Sequence, residues 1–232
     1  AGLAEGARAA GAAGPLAASL GDDYGRRTRI VRINALDTPW GAGDAALFGA
    51  HGGVDAVLIP KVSSPTDLDA VARIVPDTPL WAMIETAAGV LNAGTIAAHP
   101  RLAGMVMGTN DLARELRTRD RADRMPLMPS LGLALLAARA AGRVIVDGVY
   151  NAFRDEDGLR TECAAGCDMG FDGKTLIHPA QVDIANAAFA PGVEDMALAR
   201  RHIAAFDEAI GRGEAVAVVD GRIVENLHVA AA

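Results

Sequence analysis

A chain of 232 residues, 51% apolar and 22% charged, has the make-up of an ordinary globular domain and is long enough for a full α/β core. A net charge of −7, with no basic stripe interleaved with aromatics, excludes nucleic acid as a partner and opposes docking on an anionic membrane. No apolar run approaches the ~20 residues that a membrane span needs, and the CAAGC spacing of Cys163 and Cys167 is neither a redox nor a zinc motif, so the expected setting is a reducing cytoplasm.

Taken in chain order, residues 1–28 are rich in Ala, Gly and Arg and read as helical or broken, with no strand. Six short apolar runs follow: Arg29–Asn34, Asp55–Pro60, Pro79–Glu85, Ala103–Gly108, Arg143–Val149 and Gly170–Ile177. Each ends in polar, Gly or Pro residues, the pattern of strands buried on both faces of a parallel sheet. Helical stretches alternate with them; the one around SSPTDLDAVARIV places Leu68, Val71, Ala72 and Val75 on one side. Such alternation predicts βαβ units. A closed barrel takes eight strands and no GxGxxG follows any strand, so the expectation is an α/β (β/α)₈ TIM barrel whose N-terminal strands are absent from this sequence. Residues 1–192 make the predicted barrel domain. Residues 193–232 make a long helix to about Arg212 and an extension in which AVAVV, a DG turn and RIVENLHV read as a hairpin.

Function in parallel α/β folds sits at the carboxyl ends of strands. Those positions hold Arg32 with Asn34, Lys61, Glu85, Asn110 and Asp111 in GTND, Asp147 and Lys174. Glu85 closes an otherwise apolar strand and reads either as the acid of a helix N-terminus or as a ligand. Asp111 alone reads as an N-cap. Together, on successive strand ends, the two carboxylates are what Mg²⁺ takes, with water and substrate oxygens completing the shell. Zn²⁺ would ask for a strand-end His pair, which is missing. Arg32 reads as a structural ion pair or as a bidentate anchor for a substrate carboxylate. His178 is open between ligand contact and a local hydrogen bond; His51, His99 and His202 read as ordinary loop or helix-surface residues.

The segments RIVRINALDTPWGAGD, DAVLIPKVSSPTDLD, LWAMIETAAGVLNAGTIAAHPRLAGMVMGTNDLARELR and GFDGKTLIHPAQV together resemble the citrate lyase beta-subunit/malyl-CoA lyase group of the HpcH/HpaI aldolase family. IVDGVYNAFRDEDGLR and AVAVVDGRIVENLH are similar to its (3S)-malyl-CoA thioesterase branch. The resemblance implies a TIM barrel with Mg²⁺ between Glu85 and Asp111, and Arg32 on substrate or thioester oxygen, with Lys61 and Asn110 as further substrate contacts. It implies a homotrimer or hexamer whose C-terminal extension covers a neighbour's site and delivers an acid, here Glu225. The implied activity is hydrolysis of (3S)-malyl-CoA to malate and CoA. The alternatives are a carbon–carbon lyase acting on malyl-, citramalyl- or citryl-CoA, and a citrate lyase beta subunit working inside a larger complex. The family's early LFVPG-like and LEDAV motifs are absent here, and Glu225 stands where lyases of the group carry Asp.

Overall fold

The computed structural model describes residues 13–226 and residue 229. It contains, in order, α1 (Ala13–Ser19), β1 (Ile30–Arg32), α2 (Gly41–Gly49), β2 (Ala56–Ile59), α3 (Pro65–Ala72), β3 (Leu80–Ile84), α4 (Ala87–Leu91), α5 (Ala93–Ala97), β4 (Leu102–Met107), α6 (Thr109–Leu116), α7 (Met128–Ala140), β5 (Val144–Asp147), α8 (Glu156–Met169), β6 (Gly173–Lys174), α9 (Val182–Phe189), α10 (Val193–Gly211), β7 (Ala217–Val219) and β8 (Arg222–Val224). All six predicted strands form; five are shorter than their apolar runs because the flanking polar residues leave the ladder for the loops, and β4 keeps six residues but begins one earlier, at Leu102. Residues 1–12 of the predicted helical or broken N-terminal stretch lie outside the described residues.

The chain divides into two compact units, with the boundary between Phe189 and Ala190. In the first, the sheet order is β1-β2-β3-β4-β5-β6, and every pairing is parallel. A doubly wound sheet would reverse its order at a switch point; sequential order is that of a barrel wall. The described residues form a curled half-barrel of six strands, and the closed eight-stranded barrel expected from the sequence is not formed by them.

Period-two alternation explains the continuous apolar runs. Val57 and Ile59 of β2, Ala82 and Ile84 of β3, and Ile145 of β5 pack outward with Leu68, Val71 and Val75 from the α3 segment, Ile96 of α5 and Leu131 of α7. The residues between them, Leu58, Met83 and Val106, form a separate cluster on the inner face with Ile30, Trp81 and Val146. Every β2 residue is buried, so no polar alternation could have shown in its sequence. Helix starts are set locally: the Thr86 side chain accepts the Gly89 N–H at 2.9 Å to open α4, and Asp155 accepts that of Gly158 at 3.0 Å to open α8.

The second unit holds α10 and the β7–β8 hairpin. Asp220 (φ 51°) and Gly221 (φ 74°) both take the left-handed conformation a type I′ turn requires, which is why Asp-Gly marks it. Ala209, Ala217 and Val224 make its small core. No helix among the described residues is long and apolar enough to cross a membrane.

Candidate metal and substrate site

Arg32, Glu85 and Asp111 line one cavity of about 70 Å³ with Met83, Thr109 and Asn110. Their convergence follows from parity and strand order. Arg32 and Glu85 share the alternation of Ile30 and Met83, so they project from the inner face. Asp111 enters from the first turn of α6, directly after β4.

Glu85 is only 4% exposed. It lies one residue before Thr86, which caps α4, so it is not the acid of a helix N-terminus. Its Oε1 accepts the Lys61 N–H at 2.9 Å. Lys61 reaches that position through a left-handed backbone (φ 53°) immediately after β2. Burial, and then the negative charge of Asp111, push the Glu85 carboxyl up to about 7, against the Lys61 N–H and the positive charges of Arg32 and Lys61. Gly108 lets the carboxylate lie against the β4 end: a Cβ there would sit 2.4 Å from both Glu85 Cβ and Oε2.

Asp111 is not an N-cap; Gly108 holds that place, and Asp111 receives a hydrogen bond from Arg114 three residues on. Lys61 contributes its backbone, while its side chain is exposed and is not among the cavity-lining groups. Asn110 lines the cavity and forms a reciprocal amide pair with Asn151, at 3.1 and 2.7 Å. Asp147 and Lys174 end strands but have the opposite parity. Asp147 is fully buried behind the sheet, where both its oxygens accept from Arg124 Nη1 at 2.8 Å and Oδ2 accepts from Lys174 Nζ at 3.1 Å. Lys174 also bonds Glu162. These are structural ion pairs. Glu225 follows β8 in the second unit and is exposed.

His178 takes the local bond, accepting the Ala180 N–H at 3.1 Å, and stacks on Phe153. His99 is buried rather than on the surface, because its Nδ1 accepts the Arg101 N–H and its Nε2 lies 3.2 Å from Asp69. Cys163 is buried in α8 and burial pushes its thiol up, away from nucleophilic use. Asn151, Arg114 and Arg124 were missed from sequence. Only Asn151 had a cue, standing two residues past the last predicted position of its strand.

Among the described residues, no group of three or more His, Cys, Asp or Glu side chains converges as a metal cage. The donor set at this cavity is two carboxylates. Burial first, and the Asp111 charge second, disfavour the ionised Glu85, and a hard divalent cation would offset both. Mg²⁺ fits that set, since it is bound by one or two carboxylates and keeps water and ligand oxygens for the rest.

Comparison with known proteins places the chain. The profile of the HpcH/HpaI aldolase/citrate lyase family matches residues 16–179. The (3S)-malyl-CoA thioesterase of Cereibacter sphaeroides (strain ATCC 17025 / ATH 2.4.3) is 66% identical over 210 residues, spanning 90% of this chain and 73% of that protein. The citrate lyase subunit beta of Escherichia coli (strain K12) is 35% identical over 208 residues, spanning 84% of this chain and 68% of that one. Among solved structures, the protein CitE from Mycobacterium tuberculosis in complex with magnesium, acetoacetate and coenzyme A superposes with a TM-score of 0.71 at 31% identity, covering 87% of this chain and 74% of that one. The chain belongs to the HpcH/HpaI aldolase/citrate lyase family.

Proposed function

We propose that this protein is a Mg²⁺-dependent enzyme acting on a CoA thioester, and that it hydrolyses (3S)-malyl-CoA to malate and CoA. The observation that carries this reading is the meeting of Arg32, Glu85 and Asp111 in one cavity at the strand ends, in a chain 66% identical to a (3S)-malyl-CoA thioesterase. Glu85 and Asp111 would hold the metal, which supplies Lewis-acid polarisation of a bound oxygen. The Arg32 guanidinium donates to the thioester oxygen as negative charge develops there. The Lys61 N–H and the Gly108 backbone fix the Glu85 carboxylate, and its burial keeps bulk water away. Water oxygen bonds to the thioester carbon and the C–S bond breaks. We assign the water proton to the Glu225 carboxylate of a neighbouring subunit, which returns it to the CoA thiolate.

That assignment carries an assembly proposal, a homotrimer or hexamer in which the extension covers a neighbour's site. The cross-strand pair Val218 and Ile223 supports it, since both are apolar and more than half exposed. We also propose that the half-barrel wall belongs to a closed (β/α)₈ barrel, and that a CoA ester as substrate sets the work in the cytoplasm. Carbon–carbon cleavage is the second reading, supported by the 35% identity to a citrate lyase beta subunit. Product analysis with (3S)-malyl-CoA separates the two: malate and free CoA support hydrolysis, whereas glyoxylate and acetyl-CoA make the protein a lyase. Glu225→Asp should raise glyoxylate relative to malate; an unchanged ratio removes Glu225 from the mechanism.

A further inference from the structure

The place of the Glu85 carboxylate depends on the backbone of Lys61. The Lys61 N–H donates to Glu85 Oε1 at 2.9 Å from a left-handed conformation, φ 53°. A residue with a side chain takes that conformation at a cost, and keeps it only where the surroundings over-determine it. Here the surroundings are a hydrogen-bonded ring that runs through Ser63 and Thr86.

The loop after β2 is tied to its neighbours on two sides. The Val62 N–H donates to the Met83 carbonyl of β3 at 3.2 Å, and the Ser63 and Ser64 N–H groups donate to Asp67 Oδ2 of α3 at 2.8 and 2.9 Å. Those bonds fix the residues that follow Lys61. The Lys61 carbonyl is held by the Ser63 hydroxyl, at 3.2 Å. Ser63 Oγ also lies 2.8 Å from Thr86 Oγ1. A serine hydroxyl has one proton; with that proton on the Lys61 carbonyl, the Thr86 hydroxyl must donate to Ser63. Thr86 Oγ1 in turn accepts the Gly89 N–H at 2.9 Å. Every donor in this chain points the same way, from Gly89 through Thr86 and Ser63 to Lys61, and bonds in such a chain polarise one another. The ring closes covalently, because Thr86 follows Glu85 directly. Glycine at 89 lets α4 approach the loop: a Cβ there would lie 2.4 Å from the Val62 carbonyl oxygen. Asn92, between α4 and α5, braces the ring by donating from Nδ2 to the Ser63 carbonyl at 2.8 Å. Neither Ser63 nor Thr86 lines the carboxylate cavity, so their effect on it passes through Lys61 and Glu85.

We propose that Ser63, relayed from Thr86, is a positioning residue for the metal site: it holds Lys61 left-handed, and the Lys61 N–H then holds the Glu85 carboxylate in one orientation for a divalent cation. The proposal rests on the reading of Glu85 and Asp111 as Mg²⁺ ligands. Mg²⁺ demands near-ideal geometry and takes few protein ligands, so a carboxylate that swings loses affinity for it. Groups that orient a metal ligand from behind are commonly worth roughly 10–100-fold in metal affinity.

The test is calorimetric titration with Mg²⁺, together with amide hydrogen exchange of the metal-free protein, on the full chain and on Ser63→Ala. The substitution should raise the Mg²⁺ Kd about tenfold, the worth of one hydrogen bond. The Lys61 amide should exchange about tenfold faster, while that of Met105, buried in β4, keeps its rate. Thr86→Val keeps the shape and removes the hydroxyl, and should reproduce both changes; Thr86→Ser should keep both values within about twofold of the unmodified protein. Because the two hydroxyls act in one relay, Ser63→Ala with Thr86→Val should weaken Mg²⁺ binding little more than either alone. Thr78→Ala is the control for stability: it removes a hydroxyl bond of 2.7 Å to the Gly49 carbonyl, and should lower the melting temperature while leaving the Mg²⁺ Kd and the Lys61 exchange unchanged. An unchanged Kd or an unchanged Lys61 exchange rate in Ser63→Ala overturns the proposal, and so does an equal rise in Thr78→Ala. If the unmodified chain binds no Mg²⁺, the metal reading fails, and Lys61 exchange decides the positioning role alone. Thr86→Val carries the same test if Ser63→Ala does not fold.

Discussion

Glu85→Gln tests the electrostatic argument without requiring any activity. The substitution keeps the shape of the side chain and an oxygen to accept the Lys61 N–H, but removes the charge. The Glu85 carboxyl rises from 4.5 to about 7 on folding, through burial first and the Asp111 charge second. At ~1.36 kcal/mol per unit, ionising it in the folded chain costs about 3 kcal/mol. The sign follows from linkage: for a group whose folded pKa is raised, stability is fully present below pH 4.5 and is lost as pH climbs through about 7. The metal-free protein should therefore lose about 3 kcal/mol between pH 4.5 and 8 from this group. Glu85→Gln should not, and its melting temperature at pH 8 should lie roughly 6–12 °C above that of the unmodified chain, converging at pH 4.5. Thermal unfolding in chelator across this range is the assay. Saturating Mg²⁺ should remove the difference at pH 8 by stabilising only the unmodified protein. Parallel stability curves with and without the carboxylate would refute the reasoning.

Arg32→Lys keeps the charge but loses the planar fork, and kcat/KM on the CoA ester should fall by roughly one to two decades; steady-state kinetics decide it. Gly108→Ala puts a Cβ 2.4 Å from Glu85 Cβ and Oε2; the carboxylate must leave its place, and turnover should drop about 100-fold, while urea unfolding shows the chain still cooperative. Asp147→Asn leaves Arg124 and Lys174 under-compensated in the interior and should cost about 3–5 kcal/mol by denaturant titration, with the loss of folding stability preceding any effect on KM.

The strands and the hairpin were legible because their signals are local. Continuous apolar runs such as Ala56–Ile59 reflect burial on both faces, and Asp220-Gly221 fixes its turn by backbone conformation. The pairing of Glu85 with Asp111 was legible from strand ends alone. What separates Arg32 and Glu85 from Asp147 is parity. Counting by twos from Leu58, Met83 and Val106 carries the first pair to the inner face, and counting from Ile145 carries Asp147 to the outer one. Strand-end position without parity cannot make that distinction. The Lys61 backbone contact and the left-handed turns at Arg117 and Arg124 have no sequence signal at all, since non-glycine residues there are held by the surrounding fold and not by their own preference. The burial of the loop residue His99 has no local signal for a related reason: its ring lies against Asp69, thirty positions earlier in the chain.

The buried ion cluster then acquires a role in the site it does not line. Asp147 draws in Arg124 from the loop before α7 and Lys174 from β6, and its own carbonyl accepts the Thr175 N–H at 2.9 Å and the Thr175 hydroxyl at 3.0 Å. Gly148 and Val149 continue the chain on one side of that knot, and Thr175 begins the wall of the carboxylate cavity on the other. A buried ionic cluster adds little net stability over an apolar replacement, yet it allows few alternative arrangements. Here the arrangement it enforces is the relative position of the β5 and β6 ends. Substituting the whole cluster with apolar residues of matched volume should thus preserve or raise the unfolding free energy while degrading kcat, a separation that removing Asp147 alone cannot produce.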